Sequence, residues 1–315
     1  MSKLIKTNKL NKITIMAAML WMSIVVVVAA QTKIAIIDAG SGGSRLAVYE
    51  VNTSAGTGAG VVKPANIVGV SGSCGPLPNN VDCVKGLIQA ASDKSVPVYL
   101  LATAGMRFEE IKNNSSWLGY NSLGITAMTI SGQYEGFFAW LATGVAKNHF
   151  TAFDFQNATI TSNKPFGIIE IGGASLQQTF WTGTGKINLS NITFSSNGQS
   201  SPYSVSYLGW GINEAWDKSN KKLKSNHHTP LLDTATLRKN LRDKSNVVWY
   251  RLGGGFNDTD YVNWLGLTSG LTNPTGNPDW TAGAALYIIM TNAGANADSL
   301  RVFRNKVKFD WDQPN

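Results

Sequence analysis

Ile34, Ile36 and Ile37 form an apolar run that halts at Asp38, gives way to Ala39-Gly40-Ser41-Gly42-Gly43-Ser44, and resumes after Arg45 with Leu46, Val48 and Val51. The pattern predicts two strands joined by a Gly-rich hairpin over Lys33–Val51. The same order returns at Phe166–Trp181. There, apolar Ile168 and Ile169 lead to Glu170, then to Gly172-Gly173-Ala174-Ser175, and a strand resumes through Gln178 and Phe180. Asp38 and Glu170 stand 132 positions apart, each followed two places later by a glycine. A repeated strand–carboxylate–glycine unit predicts two similar α/β lobes facing one cleft. Between the repeats, Pro97–Arg107 reads as a strand ending at Thr103-Ala104-Gly105 with helix-forming residues beyond, and Ile130–Gly144 as a strand end, a polar turn and an apolar helix. Thr103 is placed either to cap that helix or to reach the cleft. Glu135, at the turn-to-helix step, could serve only as a partner of the helix dipole.

The chemistry of the hairpins follows from what they lack. No Walker lysine is present, and a strand rather than a helix follows each turn, so neither common nucleotide fingerprint applies. What remains is exposed backbone N–H groups, the hydroxyls of Ser41 and Ser44, and a carboxylate at the edge, an inventory suited to an anion together with a metal ion.

Ahead of the first strand, Lys3, Lys6, Lys9 and Lys12 precede an apolar run from Ile13 to Val28 and a small-residue exit at Ala29-Ala30. This reads as a signal peptide over 1–30, with Val28 and Ala30 at the cleavage-determining places and an uncleaved signal anchor as the alternative. Removing four lysines and no acid reduces the formal charge from +8 to +4, which is no nucleic-acid footprint. Cys74 and Cys83, nine apart, are the only cysteines. In an exported chain they are expected to close a small disulfide loop. His227 and His228 fall in a basic loop and are read as solvated. The stretch Val247–Trp264 has the composition of a base-stacking loop, with Tyr250, Arg251 and Phe256 as candidates, though Trp and Tyr are more often core or hairpin residues.

The strings "IDAGSGGSR", "LLATAGMR", "GQYEGFFAW" and "IEIGGASLQ" resemble, in order and spacing, the first four apyrase conserved regions of the GDA1/CD39 nucleoside triphosphate diphosphohydrolases. A fifth region is matched less specifically by "DWTAGAALYIIM". The resemblance implies an α/β, two-lobed, actin-like (ribonuclease H-like) fold. It also implies hydrolysis of terminal phosphates of nucleoside tri- and diphosphates with Mg²⁺ or Ca²⁺. Carried over by position, Glu135 is the general base for the attacking water, and Ser41, Gly42, Gly43 and Ser44 with Gly172, Gly173, Ala174 and Ser175 hold the phosphates. Asp38 and Glu170 organise the metal through its water shell, Thr103 and Gln177 help position water and metal, and Trp280 lines the pocket. The family pattern has Asp where this chain has Glu170, and one extra methylene changes the reach of a water-mediated site. The implied organisation is lobe I over 31–131, lobe II over 132–278 and a segment, 279–315, returning to lobe I. The expected partner is a nucleotide, with no nucleic acid, no lasting membrane partner after cleavage, and a monomeric, periplasmic or secreted chain. Rival readings are an exopolyphosphatase-like enzyme of the same fold, an actin-like ATPase or sugar kinase, and a secreted nucleotide-binding protein of weak catalysis.

Overall fold

The computed structural model describes residues 31–55, 60–77, 79–107, 123, 125–225, 234–273 and 278–291. The leader, and the loop holding His227 and His228, lie outside the described residues.

Both predicted hairpins are present. Strand β1 (Gln31–Gly40) pairs antiparallel with β2 (Gly43–Asn52), closing at Gly40 opposite Gly43. Its sheet is completed by β3 (Val62–Pro64), β4 (Gly72–Cys74), β5 (Val98–Ala102) and β6 (Thr126–Thr129), in the order β3-β2-β1-β5-β6 with β4 paired to β2. After a small antiparallel unit begins with β7 (Phe150–Asp154) and β8 (Thr159–Ser162), β9 (Phe166–Ile171) pairs antiparallel with β10 (Ser175–Trp181). Strand β11 (Gly185–Asn188) joins β8. The second large sheet runs β12-β10-β9-β15-β16, with β12 at Tyr203–Leu208, β15 at Val248–Leu252 and β16 at Leu271–Thr272. A two-stranded ribbon, β13 (Trp216–Asp217) with β14 (Lys222–Leu223), lies between β12 and β15 in sequence.

The two large sheets repeat one topology. In each, a hairpin supplies two antiparallel strands, a further strand adds antiparallel to the second, and two later strands add parallel to the first. This duplicated ribonuclease H-like sheet is the frame of the actin-like α/β fold.

Strand parity sets the layers, because successive side chains on a strand point to opposite faces. Ile34 and Ile36 of β1, Tyr99 and Leu101 of β5, and Phe166 and Ile168 of β9 join one central core. Ala35, Ile37 and Ala39 face away, onto α1 (Val81–Ser92), which contributes Val84, Leu87, Ile88 and Ala91. Ile169 and Ile171 face the opposite way again, onto a third core built with α3 (Thr234–Asp243) and α4 (Thr259–Leu265).

The central layer holds two helices, α2 (Gly132–Ala146) and α5 (Trp280–Met290). Each is buried nearly all round, so neither shows the polar stripe of a surface helix. Ser131 caps α2, its hydroxyl accepting from the Tyr134 N–H at 3.3 Å, and Asp279 caps α5 by accepting from the Thr281 N–H at 3.0 Å. Helix α2 packs on β9, β10 and β12, α5 packs on β1, β2 and β3, and the two helices pack on each other. At their crossing a Cβ on Gly283 would stand 1.9 Å from the Phe138 carbonyl oxygen, so only glycine permits the approach.

Gly283→Val should therefore be among the most damaging substitutions in the chain. We expect a loss at or above the ~3 kcal/mol upper end of ordinary overpacking, since a backbone atom cannot rotate away. Urea denaturation checks this, against an expectation of about 1 kcal/mol or less if the crossing were loose.

Candidate active site

The same parity that fills the central core delivers the site. Asp38 continues the row of Ile34 and Ile36, Glu170 continues that of Phe166 and Ile168, and Thr103 that of Tyr99 and Leu101. Each row ends where its strand ends, so polar side chains replace apolar ones at the same edge of the layer. A cleft of about 610 Å³ opens there. It is lined by both Gly/Ser turns, Asp38, Thr103, Glu135, Glu170, Asp279 and Trp280. Thr103 thus reaches the cleft, while its backbone carbonyl accepts from the Met106 and Arg107 N–H groups at 3.1 and 3.2 Å.

The two turns meet closely. A Cβ on Gly173 would sit 2.7 Å from Ser41 Oγ and 3.0 Å from Asn213 Nδ2, so the glycine leaves room for a ligand oxygen between hydroxyl and amide.

Glu135 is buried at the first turn of α2 and is held from two sides. Its Oε2 accepts from Arg107 Nη2 at 2.6 Å and from Gln177 Nε2 at 3.0 Å. Gln177 Nε2 also donates to Ser175 Oγ at 2.6 Å, and Arg107 reaches Ser175 Oγ at 3.4 Å and the Ile130 carbonyl at 3.4 Å. Burial raises the Glu135 pKa, the Arg107 charge and the hydrogen bonds from Arg107 and Gln177 pull it back, and the net direction is upward. A carboxylate so placed is more basic than a solvated one, as suits a general base.

The other acids are less well compensated. Burial, then the Asp279 and Glu135 charges, push the Asp38 pKa up to about 8 against the pull of Arg45 and a hydrogen bond from Trp280. Glu170 is driven well above the carboxylate range by burial and then by Glu135, Asp279 and Asp38. Asp38 Oδ1 and Glu170 Oε2 are each shut away from solvent with no hydrogen-bond partner. Two orphaned carboxylate oxygens at one cleft fit a cation, because an unpaired buried acceptor is otherwise costly. Among the described residues no group of three or more His, Cys, Asp or Glu side chains is placed to hold an ion.

Sequence reading missed three participants. Arg107 ends the string that carries Thr103, and nothing local marks it as the partner of an acid 28 positions away. Asp279 both caps α5 and pairs with Arg45, the residue opposite Asp38 in the first hairpin. Asn213, in the single helical turn Ile212–Ala215, faces the second Gly/Ser turn.

The structure does not bring the base-stacking candidates to the cleft lining. Tyr250 lies in the central core with its hydroxyl 2.9 Å from His149 Nε2, and Phe256 lies in the third core. Arg251 Nε donates to Asn273. Parity explains Tyr250, which shares a row with Leu252; the cleft wall of that segment is Leu252, Gly253 and Gly254 instead. The Cys74–Cys83 disulfide is formed, with Cα atoms 5.9 Å apart.

Residues 74–252 match the model of the GDA1/CD39 (nucleoside phosphatase) family. The chain belongs to the GDA1/CD39 family. Among curated GDA1/CD39-type proteins, probable apyrase 6 of Arabidopsis thaliana is 28% identical over 228 residues, covering 63% of this chain and 39% of the relative. Ectonucleoside triphosphate diphosphohydrolase 1 of Bos taurus is 28% identical over 210 residues, covering 57% and 41%. The chain thus spans about two fifths of the length of these family members. Solved structures similar to this GDA1/CD39 chain include a nucleoside triphosphate hydrolase from Neospora caninum, at 17% identity and TM-score 0.35 over 67% of this chain and 50% of that one. A PPX-GPPA enzyme from Aquifex aeolicus matches at 16% and 0.42 over 71% and 69%.

Two measurements test the electrostatics. A carboxyl whose folded pKa is raised takes up a proton on folding, so stability falls as pH rises from the unfolded value of 3.8 toward the folded value near 8 for Asp38. In chelator, the melting temperature should fall between pH 6.5 and 8.5, and Asp38→Asn should flatten the slope. His149, held neutral by burial and the Lys164 and Lys147 charges with a pKa lowered to about 4, contributes its pH dependence below that range. Separately, Arg107→Met should cost about 3–5 kcal/mol by stranding the Glu135 charge, and adding Glu135→Gln should recover most of it. A single-variant loss under about 1 kcal/mol in urea would show that the pair is not desolvated.

Proposed function

We propose that the protein hydrolyses the terminal phosphates of nucleoside tri- and diphosphates by in-line attack of water. The observation that carries this reading is the placement of Glu135, anchored through Oε2 by Arg107 and Gln177, beside two Gly/Ser turns that face each other across one cleft. Phosphoryl transfer needs the phosphate oxygens held, their charge offset and a water aimed, and little covalent help from the protein. Backbone N–H groups and hydroxyls of Ser41–Ser44 and Gly172–Ser175 hold the phosphate chain. Arg107 and Gln177 occupy one oxygen of Glu135, and the other takes the proton of the attacking water. Ser175, Gln177 and Thr103 surround that water and fix its orientation.

Asp38 and Glu170 would hold a hydrated Mg²⁺ or Ca²⁺, with Trp280 closing that side of the cleft. When bound, such an ion supplies the positive charge that the two turns lack and offsets the phosphate oxygens. The names of the curated relatives, apyrase and ectonucleoside triphosphate diphosphohydrolase, support the substrate class. The apolar leader, with no helix among the described residues long and apolar enough to cross a membrane, and the disulfide support export to an oxidising compartment.

A phosphate-release assay with ATP, ADP, AMP and polyphosphate tests the reading. ATP and ADP should be cleaved, AMP spared, and activity should vanish in EDTA and return with Mg²⁺ or Ca²⁺. Glu135→Gln should lower kcat by about 10²- to 10⁴-fold while nucleotide binding persists. Retention of ATP hydrolysis within about threefold would remove Glu135 as the base, and cleavage of polyphosphate alone would replace the nucleotide reading.

A further inference from the structure

The first phosphate turn does not stand on its own hairpin alone. Strand β4 lies beside it, with Cys74 opposite Ser44, Ser73 opposite Arg45 and Gly72 opposite Leu46. Ser73 and Cys74 line the cleft. Gly43, with φ of +148°, presses against this strand so closely that a Cβ would stand 2.8 Å from the Cys74 carbonyl oxygen. Ser44 is buried, and its hydroxyl has no hydrogen-bond partner, leaving a donor held ready at the wall that β4 supports. Yet β4 is only three residues long, two of them exposed, and among the described strands it pairs with β2 alone. A strand that short and that exposed is weakly held by its ladder. Its covalent anchor is the disulfide to Cys83 in the first turn of α1, a helix fixed through Val84, Leu87, Ile88 and Ala91.

We propose that Cys74 and Cys83 are positioning residues for phosphate binding. Through the disulfide, α1 holds β4 against Gly43 and Ser44, so the turn keeps the shape that receives the phosphate chain. The inference rests on the proposed hydrolase reading, and assigns the disulfide a part in substrate affinity beyond stability. Breaking the bond frees β4 to leave the turn without disturbing Glu135, Arg107 or Gln177, which lie on other elements.

The test uses the full chain in three forms: oxidised, treated with tris(2-carboxyethyl)phosphine (which supplies the two electrons that reduce the bond), and Cys74→Ser/Cys83→Ser. Kd for ADP with Mg²⁺ by calorimetry and KM for ATP should both rise about tenfold, the scale of one lost hydrogen bond to a charged group. The kcat should stay within about threefold, as expected when ground-state and transition-state binding are lost alike. Amide hydrogen exchange should accelerate at residues 41–45 and 72–75 while β5 stays protected. Val262→Ala, a stability control in the third core, should lower the melting temperature with KM unchanged. The proposal is overturned if Kd and KM stay within about twofold in both disulfide-free forms, or if exchange quickens uniformly and KM follows the melting temperature in the control as well. Should the double variant not fold, the reduced parent supplies the same readings. An oxidised chain that neither binds ADP nor cleaves ATP overturns the hydrolase reading and this proposal together, whereas hydrolysis with an unchanged KM overturns only the latter.

Discussion

Four carboxylates, Asp38, Glu135, Glu170 and Asp279, line one cleft, and two of them have a guanidinium partner, Glu135 in Arg107 and Asp279 in Arg45. Charges of like sign at low solvation repel strongly, and each buried carboxylate also loses its hydration. Everything else about the site answers that constraint. Glu135 escapes it through a close ion pair and an amide, and so keeps a usable proton affinity. Asp38 and Glu170 have no such close partner, and burial together with the neighbouring carboxylates drives both upward.

The duplicated sheet explains why the two uncompensated acids face each other. Each is the last residue with an inward side chain on the first strand of its unit, Gly40 beyond Asp38 having none. Because both strands use the same parity and the same turn, a single structural rule places both carboxylates at the same edge of the central layer. The cores of the two lobes then merge through the pair of buried helices rather than through the sheets, which leaves the strand ends open to ligand.

Much of this was legible in the sequence because it is local. The hairpins, the step from polar turn to helix at Ser131 and the placement of Asp38, Glu170, Ser41 and Gly173 depend on period-two patterning and glycine punctuation within about twenty residues. The disulfide was legible from spacing and compartment. What escaped depends on long-range packing. Arg107 looks like any helix residue until α2 and β10 surround it, and Asp279 looks like a cap until Arg45 arrives from 234 positions away. Tyr250 left two readings open, a stacking ring or a core residue. Its composition suggests a surface ring, and only the parity of a parallel strand, with His149 behind it, sends it inward.

The glycine contact between the central helices restricts how the halves of the molecule can shift. With the Phe138 carbonyl seated against Gly283, and the Phe138 and Trp280 rings stacked at 6.5 Å beside it, sliding one helix along the other would drive a side chain into a backbone oxygen. Rolling about the contact keeps the glycine in place. The crossing therefore tolerates rotation about the contact better than translation along it, and Glu135 lies on one of the two helices that form it.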